Sequence, residues 1–465
     1  MKFNELLKEY IDTQGITIYQ ISKQTQINRT FIQNVLAGRK KFPQKRLGDL
    51  LDSAFFTNKQ IKALCNMYFI EKYGKCVPEI FDFYNYCLSK KFEADMCQKY
   101  EADKIELDGD VKFLDCEQKI LSAINMAVSE TNGDIFISNF NFNKKEINRI
   151  IYTACKNKKF KEFYHYTKYT EDEIQNANII FNSIYYAKHG CLTYIDNYNN
   201  FNLMFPEFVM CNDIIVMFNS EATSGSILRN KELTDHIIKQ NEKILHNAKN
   251  DVVVYHNPFE YMQYLDIKSS KRSNPEIKAL DNHVCGMGIT KEIIDDIATD
   301  EIKNSTQVYQ QLVSHYDLLL SKSTSNIKKW CLSYNAVIDF CKTGRLWDFP
   351  SGLANRLKPK HRADILQFVL NHECQLRLTN PEYEKFDELA VNIELCQHQL
   401  IISYVDENCD ADLDLGIQVI FETENTNITN SFDNYLEYLT ISEKTYSSDY
   451  SKSFIQSRID ILNAE

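Results

Sequence analysis

Four polar side chains that can pair with the edges of DNA bases lie close together in the sequence, at Arg29, Thr30, Gln33 and Asn34. A guanidinium group, a hydroxyl group and two carboxamides are donors and acceptors of the kinds that read base edges in the major groove. If residues 28–37 form a helix whose apolar side chains face a core, these four side chains lie on its outer face. The chemistry that they predict is hydrogen bonding to DNA bases.

A run of positive charge follows these residues. Arg39, Lys40 and Lys41 come first, and Lys45 and Arg46 follow a few positions later. The first 60 residues carry ten Lys and Arg against five acids, a net charge of +5, so with −11 overall the remainder carries −16. A small basic segment on an acidic body can bind phosphate locally, while the body resists unspecific coating of nucleic acid.

The elements that must position these side chains are five short helices within residues 1–75. Capping residues and stop signals mark their ends. The predicted helices are Phe3–Tyr10 with a stop at Gly15, a helix capped by Thr17 and running to Thr25, one capped by Asn28 and running to Ala37, one over Gln44–Phe55, and one capped by Thr57 and closed by Gly74. In the third helix the apolar spacing of Ile32, Val35 and Leu36 predicts the buried face.

Residues 1 to about 70 resemble the five-helix repressor/Cro-like domain of the XRE family, with the segment Gly15–Lys40 as the centre of the resemblance. The resemblance implies a helix-turn-helix whose third helix is the recognition helix. It implies base reading by Arg29, Thr30, Gln33 and Asn34. It implies phosphate contacts by Tyr19, Arg39, Lys40 and Lys41, to which we add Asn28, Lys45 and Arg46.

The sequence departs from the family pattern at three positions of this segment. Gln26 stands where the turn usually has glycine, Leu36 where an acidic residue is frequent, and Phe31 where a small polar residue is usual. A helical hairpin that contacts protein is the alternative to a DNA-binding unit. The basic run favours DNA, because a hairpin used only for packing needs no such charge.

Weaker candidates for catalysis or metal binding lie further along the chain. His372 and Cys374 mirror Cys396 and His398, and two adjacent extended segments would bring these four zinc-type ligands together. Unrelated buried or surface residues are the stronger interpretation, because zinc sites prefer wider spacing within each pair. The sequence has neither a P-loop nor an H-E-x-x-H motif. We therefore expect no metal, no cofactor and no enzyme activity, and leave an enzyme within residues 111–465 as an alternative.

Composition and patterning predict a multidomain chain. The length of 465 residues exceeds that of one ordinary core. The expected order is an all-α helix-turn-helix domain (residues 1–75), an acidic helical connector (76–110), an α/β domain for sensing or dimerisation (111–300) and an α+β C-terminal domain (301–465). The predicted strands of the two later domains are Ile135–Ser138, Leu192–Ile195, Ile214–Phe218, Val252–Tyr255, one with alternating apolar residues from Val391 to Leu395, Leu400–Val405 and Leu415–Phe421. No internal repeat is visible in the sequence.

These features predict a transcription regulator that binds double-stranded DNA. One helix-turn-helix reads few base pairs, so a homodimer on a palindromic site is expected. The large acidic body leaves room for an effector, either a small molecule or a peptide, and an adaptor whose helical domain recruits protein is a second alternative. The 14 scattered cysteines without C-x-x-C pairs, and the lack of a signal peptide or an apolar span, predict a cytoplasmic protein without membrane contact.

Overall fold

A helical N-terminal region precedes two mixed β-sheets in the computed structural model. It describes every residue except 1, 54, 75–76, 99, 101–104, 106–108, 131–132, 196–205, 248–249, 257, 272–275, 285, 347–354, 383–390, 406–417 and 443. A multidomain chain with a helical start was expected from the sequence, and this coarse architecture is confirmed.

In the described part of the N-terminal region the chain forms five α-helices and a 3-10 turn: α1 Phe3–Gln14, α2 Ile18–Thr25, α3 Arg29–Leu36, the turn Gln44–Arg46, α4 Leu47–Leu51 and α5 Asn58–Tyr73. Helix α1 extends past its expected end at Tyr10 and stops where Gly15 takes a φ of 67°, a conformation that glycine adopts without strain. Helix α4 is shorter than expected, because a 3-10 turn replaces its first residues and the α-helix ends at Leu51.

The expected acidic helical connector, residues 76–110, is helical in the part that the structure describes, and it packs against its neighbours. It contains α6 Val77–Leu88 and α7 Lys90–Met96, and α6 buries Phe81 and Tyr84. The ring of Phe81 lies 6.1 Å from that of Phe69 on α5 and 4.9 Å from that of Tyr438 near the C-terminus. Aromatic pairs of this kind contribute about 0.5–1.5 kcal/mol beyond the area they bury. Helix α6 therefore joins the N-terminal region to the rest of the molecule through a packed core.

Within the described residues the first sheet has seven strands in the order β1-β7-β6-β5-β2-β3-β4. Strands β2, β3 and β4 are parallel to one another, and the other neighbours are antiparallel. The strands are β1 Val111–Leu114, β2 Gly133–Asn139, β3 Phe160–Thr167, β4 Cys191–Ile195, β5 Glu207–Cys211, β6 Ile214–Phe218 and β7 Gly225–Arg229, and the helices of this unit are α8 Glu117–Glu130, α9 Lys145–Lys156, α10 Glu173–Lys188 and α11 Lys231–Asn247.

The described part of the second sheet also has seven strands, in the order β8-β14-β13-β12-β9-β10-β11. They are β8 Val252–Tyr255, β9 Ile277–Asp281, β10 Ile327–Leu332, β11 Gln375–Leu378, β12 Val391–Cys396, β13 Gln399–Val405 and β14 Gln418–Thr423. The helices of this unit are α12 Pro258–Lys271, α13 Lys291–Ile297, α14 Asp300–Asn304, α15 Thr306–Asn326, α16 Tyr334–Thr343, α17 Pro359–Asn371, α18 Thr426–Leu439 and α19 Ser448–Ala464. Part of the expected strand Leu415–Phe421 lies outside the described residues.

The two sheets share one topology. In each unit the chain starts in an edge strand and then passes through a helix to a central strand. Two further strands follow outward, parallel to the central one. Three antiparallel strands then fill the space between the central strand and the first strand. The pairing directions agree at every step, with β9, β10 and β11 parallel and the other neighbours antiparallel. The chain thus contains an internal repeat of structure that the sequence does not display.

This repeat changes the division of the chain. Strands β8 and β9 precede residue 300, yet they hydrogen-bond into the second sheet. The expected boundary at 300 therefore does not coincide with the division between the sheets, which falls between α11 and β8. Among the described residues no helix is long and apolar enough to cross a membrane.

One hydrophobic core fills the space between the sheets and continues into the N-terminal region. The first unit contributes helices α8, α9 and α10 to this core, and the second unit contributes α18. The ring of Phe181 on α10 lies 6.4 Å from that of Phe432 on α18. The far face of the first sheet is covered by α11 through Ile237 and Ile244. The far face of the second is covered by α12, α13, α15, α17 and α19.

Candidate nucleic-acid interface

Two capped helices and a strained turn build the predicted recognition segment. Thr17 accepts a hydrogen bond from the backbone N of Gln20, whose side-chain Oε1 accepts from Thr17 N at 2.7 Å. Asn28 caps α3 through a 2.8 Å bond from Thr30 N to its Oδ1. Between the helices Gln26 has a φ of 55° and a ψ of 24°. The turn therefore has the left-handed conformation that glycine usually supplies, held here by a residue with a side chain.

The two faces of α3 are separated as the apolar spacing predicted. Ile32 and Val35 are buried, and Leu36 is partly buried and packs against the same core. Arg29, Thr30 and Gln33 are exposed, and Asn34 is half-buried. The four base-reading candidates therefore lie on the side of α3 that faces away from the buried Ile32 and Val35. Base reading by these residues stays a prediction.

Two cations on this surface lie over aromatic rings. The guanidinium carbon of Arg29 is 4.4 Å from the centroid of the Tyr19 ring, and Lys40 Nζ is 4.8 Å from the centroid of Phe31. Exposed pairs of this type are worth about 0.5–1 kcal/mol. They restrict Arg29 and Lys40 to positions beside α3. Phe31, which departs from the family pattern, therefore has a visible role in placing a lysine.

Backbone contacts hold the basic loop after α3. The carbonyl of Asn34 accepts hydrogen bonds from Arg39 N at 2.8 Å and from Lys40 N at 3.2 Å. Phe42 is buried, and its carbonyl accepts a 3.0 Å hydrogen bond from the hydroxyl of Tyr68 on α5. The side chains of Arg39, Lys40 and Lys41 are exposed. The loop therefore presents three cations on a fixed backbone next to the outer face of α3.

The remaining phosphate-contact candidates differ in their surroundings. Tyr19 and Asn28 are exposed, and Asn28 already uses its Oδ1 to cap α3. Arg46 forms an ion pair with Asp49 on α4 at 3.2 Å, so part of its charge is balanced by that helix. The side chain of Lys45 lies outside the part that the structure describes.

The helical region is docked onto the second sheet, a contact that sequence reasoning missed. Arg377 on the edge strand β11 is 2% exposed and forms an ion pair with Asp52, the residue after α4. Gly48 on α4 is buried so closely that an added Cβ would lie 3.2 Å from Gln375 Nε2 and 3.3 Å from Ile441 Cγ2. The sequence shows only an arginine between Leu376 and Leu378, and its burial against α4 follows from the tertiary fold.

A charged cluster beside this contact was also missed. Glu437 on α18 lies 2.7 Å from Lys278 Nζ on β9 and 2.6 Å from Lys329 Nζ on β10. Burial raises the pKa of Glu437, but the two ammonium groups outweigh burial and hold its pKa below the ordinary value. Gln44 of the N-terminal turn donates to the same carboxylate at 3.4 Å. The cluster therefore ties the N-terminal region to both α18 and the second sheet.

The four zinc-type ligands noted in the sequence do not lie together in the structure. His372 and Cys374 lie beside β11, whereas Cys396 and His398 lie at the end of β12. Strands β10 and β9 separate β11 from β12, which places the two pairs about 14 Å apart at the usual spacing between strands. Among the described residues no group of three or more His, Cys, Asp or Glu could hold a metal ion.

Comparisons with known proteins leave the family open. No protein-family description and no curated protein matches the chain. One similar solved structure is that of TrmBL2, an archaeal chromatin protein with a novel mode of DNA binding, at 11% identity over 51% of this chain and 78% of that chain, with a TM-score of 0.21. Another is polyphosphate kinase from Porphyromonas gingivalis, at 10% identity over 92% of this chain and 62% of that chain, with a TM-score of 0.23. At such TM-scores neither likeness carries weight for function.

Proposed function

We propose that this protein is a sequence-specific DNA-binding transcription regulator whose α2 and α3 form a helix-turn-helix of the XRE type. The observation that carries the proposal is the outer face of α3, where Arg29, Thr30 and Gln33 are exposed beside a basic loop with a fixed backbone. A helix about 10–12 Å across fits the major groove. In that position the polar face of α3 meets base edges, and the lysines of the loop meet phosphates.

The charge distribution supports the same proposal. The +5 segment is confined to the first 60 residues of a chain of net charge −11. DNA is therefore attracted to the face that carries α3 and repelled by most of the remaining surface. We propose a homodimer as the active form, because two copies of α3 on a two-fold site read enough base pairs for specificity.

The test separates base reading from phosphate anchoring in the full-length protein. Gln33→Ala is expected to cost about 1–3 kcal/mol of binding free energy on the selected site and little on random DNA, because its carboxamide contacts base edges. Lys40→Ala is expected to weaken both complexes about equally and to reduce the salt slope by about 1, because an ammonium group there meets only phosphate. Fluorescence anisotropy across a salt series measures both quantities.

Controls decide between this proposal and a helical region that contacts protein. Lys59→Ala serves as the matched lysine variant, since Lys59 is exposed at the start of α5 and outside the predicted interface. It is expected to leave affinity and salt slope unchanged. If Gln33→Ala and Lys40→Ala both fold and leave DNA binding intact, α3 does not lie in the groove. Affinity that does not change with salt would exclude a phosphate-dependent interface altogether.

A further inference from the structure

An open cleft of about 460 Å³ lies between the start of α1, the basic loop after α3 and the last turns of α5. Its floor contains the buried rings of Phe3, Phe42 and Tyr68. The ring centroid of Phe3 lies 5.3 Å from that of Tyr68 and 6.0 Å from that of Phe42, so three segments of the chain hold the floor together. The volume is within the range of roughly 300–1,000 Å³ that is usual for small-molecule sites.

The rim of this cleft, which we name the lysine cleft, is strongly basic. Its charged residues are one acid, Glu71, and four lysines, Lys2, Lys40, Lys41 and Lys72, all of them exposed. The Oε1 atom of Glu71 accepts a 2.6 Å hydrogen bond from the backbone N of Phe3. In the part of the chain that the structure describes, no carboxylate lies within ion-pair distance of any of the four ammonium groups. The lining therefore has a net charge of +3 that no ion pair balances.

Lys72 shows most clearly that positive charge at this site lacks an ionic partner. Its Nζ donates a hydrogen bond to Oε1 of Gln44 and lies 4.5 Å from the centroid of the Tyr73 ring, and neither of these groups carries a charge. Partial burial lowers the pKa of Lys72, two carboxylates of α18 act in the opposite sense, and the ammonium groups of Lys278 and Lys41 add to the lowering. Those carboxylates are already paired with lysines of the second sheet. An anion in the cleft balances Lys72 and Lys41 together.

The distribution of charge favours an anion with more than one charged group. Lysine ammonium groups are compact point charges with three donors each, and they are common phosphate ligands. The four lysines come from three separate segments, before α1, after α3 and on α5. A phosphate monoester carries about −1.5 to −2 charges at pH 7, so two phosphate groups balance the net charge of +3. We propose that the lysine cleft binds a small anion that carries two phosphate groups.

Two of the four lysines are shared with the predicted DNA interface. Lys40 and Lys41 line the cleft and are also predicted phosphate contacts, whereas Lys2 and Lys72 are not. A ligand that neutralises the shared lysines removes positive charge from the DNA-binding face and is expected to lower the affinity for DNA. The ligand is then an anionic effector. This consequence rests on the proposed function, but binding of the anion to the lysine cleft does not.

The experiment uses the full-length protein at constant ionic strength, without divalent metal ions, and two matched pairs of probes. Pyrophosphate is compared with orthophosphate, and fructose 1,6-bisphosphate with fructose 6-phosphate. At least one of the two-phosphate anions is expected to give a saturable calorimetric isotherm and to raise Tm, since a ligand that binds only the folded state stabilises it. It is expected to bind roughly tenfold more tightly than its one-phosphate counterpart. Failure of both to bind at millimolar concentration, or equal affinities within both pairs, overturns the proposal.

Two double variants locate the site. Lys2→Gln with Lys72→Gln removes two charges of the lining that are not predicted DNA contacts, and it is expected to weaken binding of the anion roughly tenfold. Lys8→Gln with Lys59→Gln removes two exposed lysines of α1 and α5 outside the lining, and it is expected to leave the affinity unchanged. If the first double variant does not fold, Lys41→Gln replaces it. Equal affinities of the cleft variant and the control variant mean that the anion binds elsewhere.

Fluorescence anisotropy measures the effect of the anion on DNA binding separately. Saturation of the cleft with the tighter probe is expected to weaken the complex of the full-length protein with DNA. Affinity for DNA that stays constant at saturation contradicts the shared role of Lys40 and Lys41. A protein that binds the anion in the cleft but binds no DNA refutes the proposed function alone, whereas DNA binding without anion binding refutes the lysine cleft alone.

Discussion

At the scale of the residue, His165 shows how burial removes an ionisable group from solution chemistry. It lies on β3 opposite Ser138 of β2, with its Nδ1 2.8 Å from the Ser138 hydroxyl. The rings of Phe140 and Phe142 lie 4.6 and 4.3 Å from the imidazole centroid. Burial lowers the pKa of His165 from 6.5 to about 3. The side chain is therefore a neutral part of the core at any physiological pH.

This lowered pKa predicts a loss of stability in acid. Below the ordinary pKa of 6.5 the unfolded chain binds a proton at His165 that the folded chain excludes down to about pH 3. The free energy of unfolding is thus expected to fall with decreasing pH by up to about 1.4 kcal/mol per unit from this residue. Urea titrations at pH 7, 6 and 5 measure the slope. His165→Gln should flatten it and His236→Gln, at an exposed position on α11, should not; equal slopes for both variants contradict the assignment.

Gln26 carries the strain of the turn between α2 and α3. A side chain in the left-handed conformation costs about 1–2 kcal/mol, and glycine removes that cost while adding flexibility to the unfolded chain. Gln26→Gly is therefore expected to stabilise the protein by about 0.5–1 kcal/mol in thermal or urea unfolding. Gln24→Gly, at an exposed position within α2, is the control and is expected to destabilise by about 1 kcal/mol. Destabilisation by both variants would show that Gln26 is not strained.

At the scale of the element, the docking of α4 on β11 fixes the direction in which α3 faces. Arg377 is buried and also donates to the carbonyl of Tyr446 at 3.2 Å, so its loss of Asp52 would leave a poorly balanced charge. Asp52→Ala is expected to lower the free energy of unfolding by about 2–3 kcal/mol, below the full value for a buried pair because Asp52 is partly exposed. Urea denaturation of the full chain measures the change.

Asp49→Ala is the matched control for that prediction. Asp49 lies on the same helix, and its ion pair with Arg46 is solvent-accessible. Its removal is expected to cost less than about 1 kcal/mol. Equal losses for the Asp49 and Asp52 variants would mean that the contact between α4 and β11 contributes little to stability.

Elements with local signals could be predicted, and elements defined by distant contacts could not. The caps at Thr17 and Asn28 located α2 and α3 to within a residue. In contrast, β3 was missed because Lys161 and Glu162 interrupt its apolar pattern, although five of its eight residues are buried beside β2 and β4. The outer face of α3 followed from helical spacing. Arg377 did not, because only the tertiary fold brings β11 to α4.

At the scale of the whole molecule, the proposed homodimer has a direct test. The chain has a mass of 54.4 kDa, and sedimentation at micromolar concentration is expected to give twice that mass. Two copies of α3 must then meet half-sites on one side of the duplex, one helical turn of about 10–10.5 base pairs apart or a multiple of that. Inserting five base pairs between the half-sites is expected to lower affinity strongly. A monomer whose binding tolerates the insertion contradicts the dimer.

The way in which the two sheet units pack together determines which surfaces lie at the two ends of the molecule. The first unit offers the face with α8, α9 and α10 to the shared core, whereas the second offers the opposite, α18-bearing face. The units therefore stack front to back, a heterologous contact that could in principle recur without closing. Helix α11 occupies the free surface at one end, and α12, α15 and α19 occupy it at the other. The two ends of the molecule therefore present unlike surfaces, with α11 over the first sheet and a layer of several helices over the second.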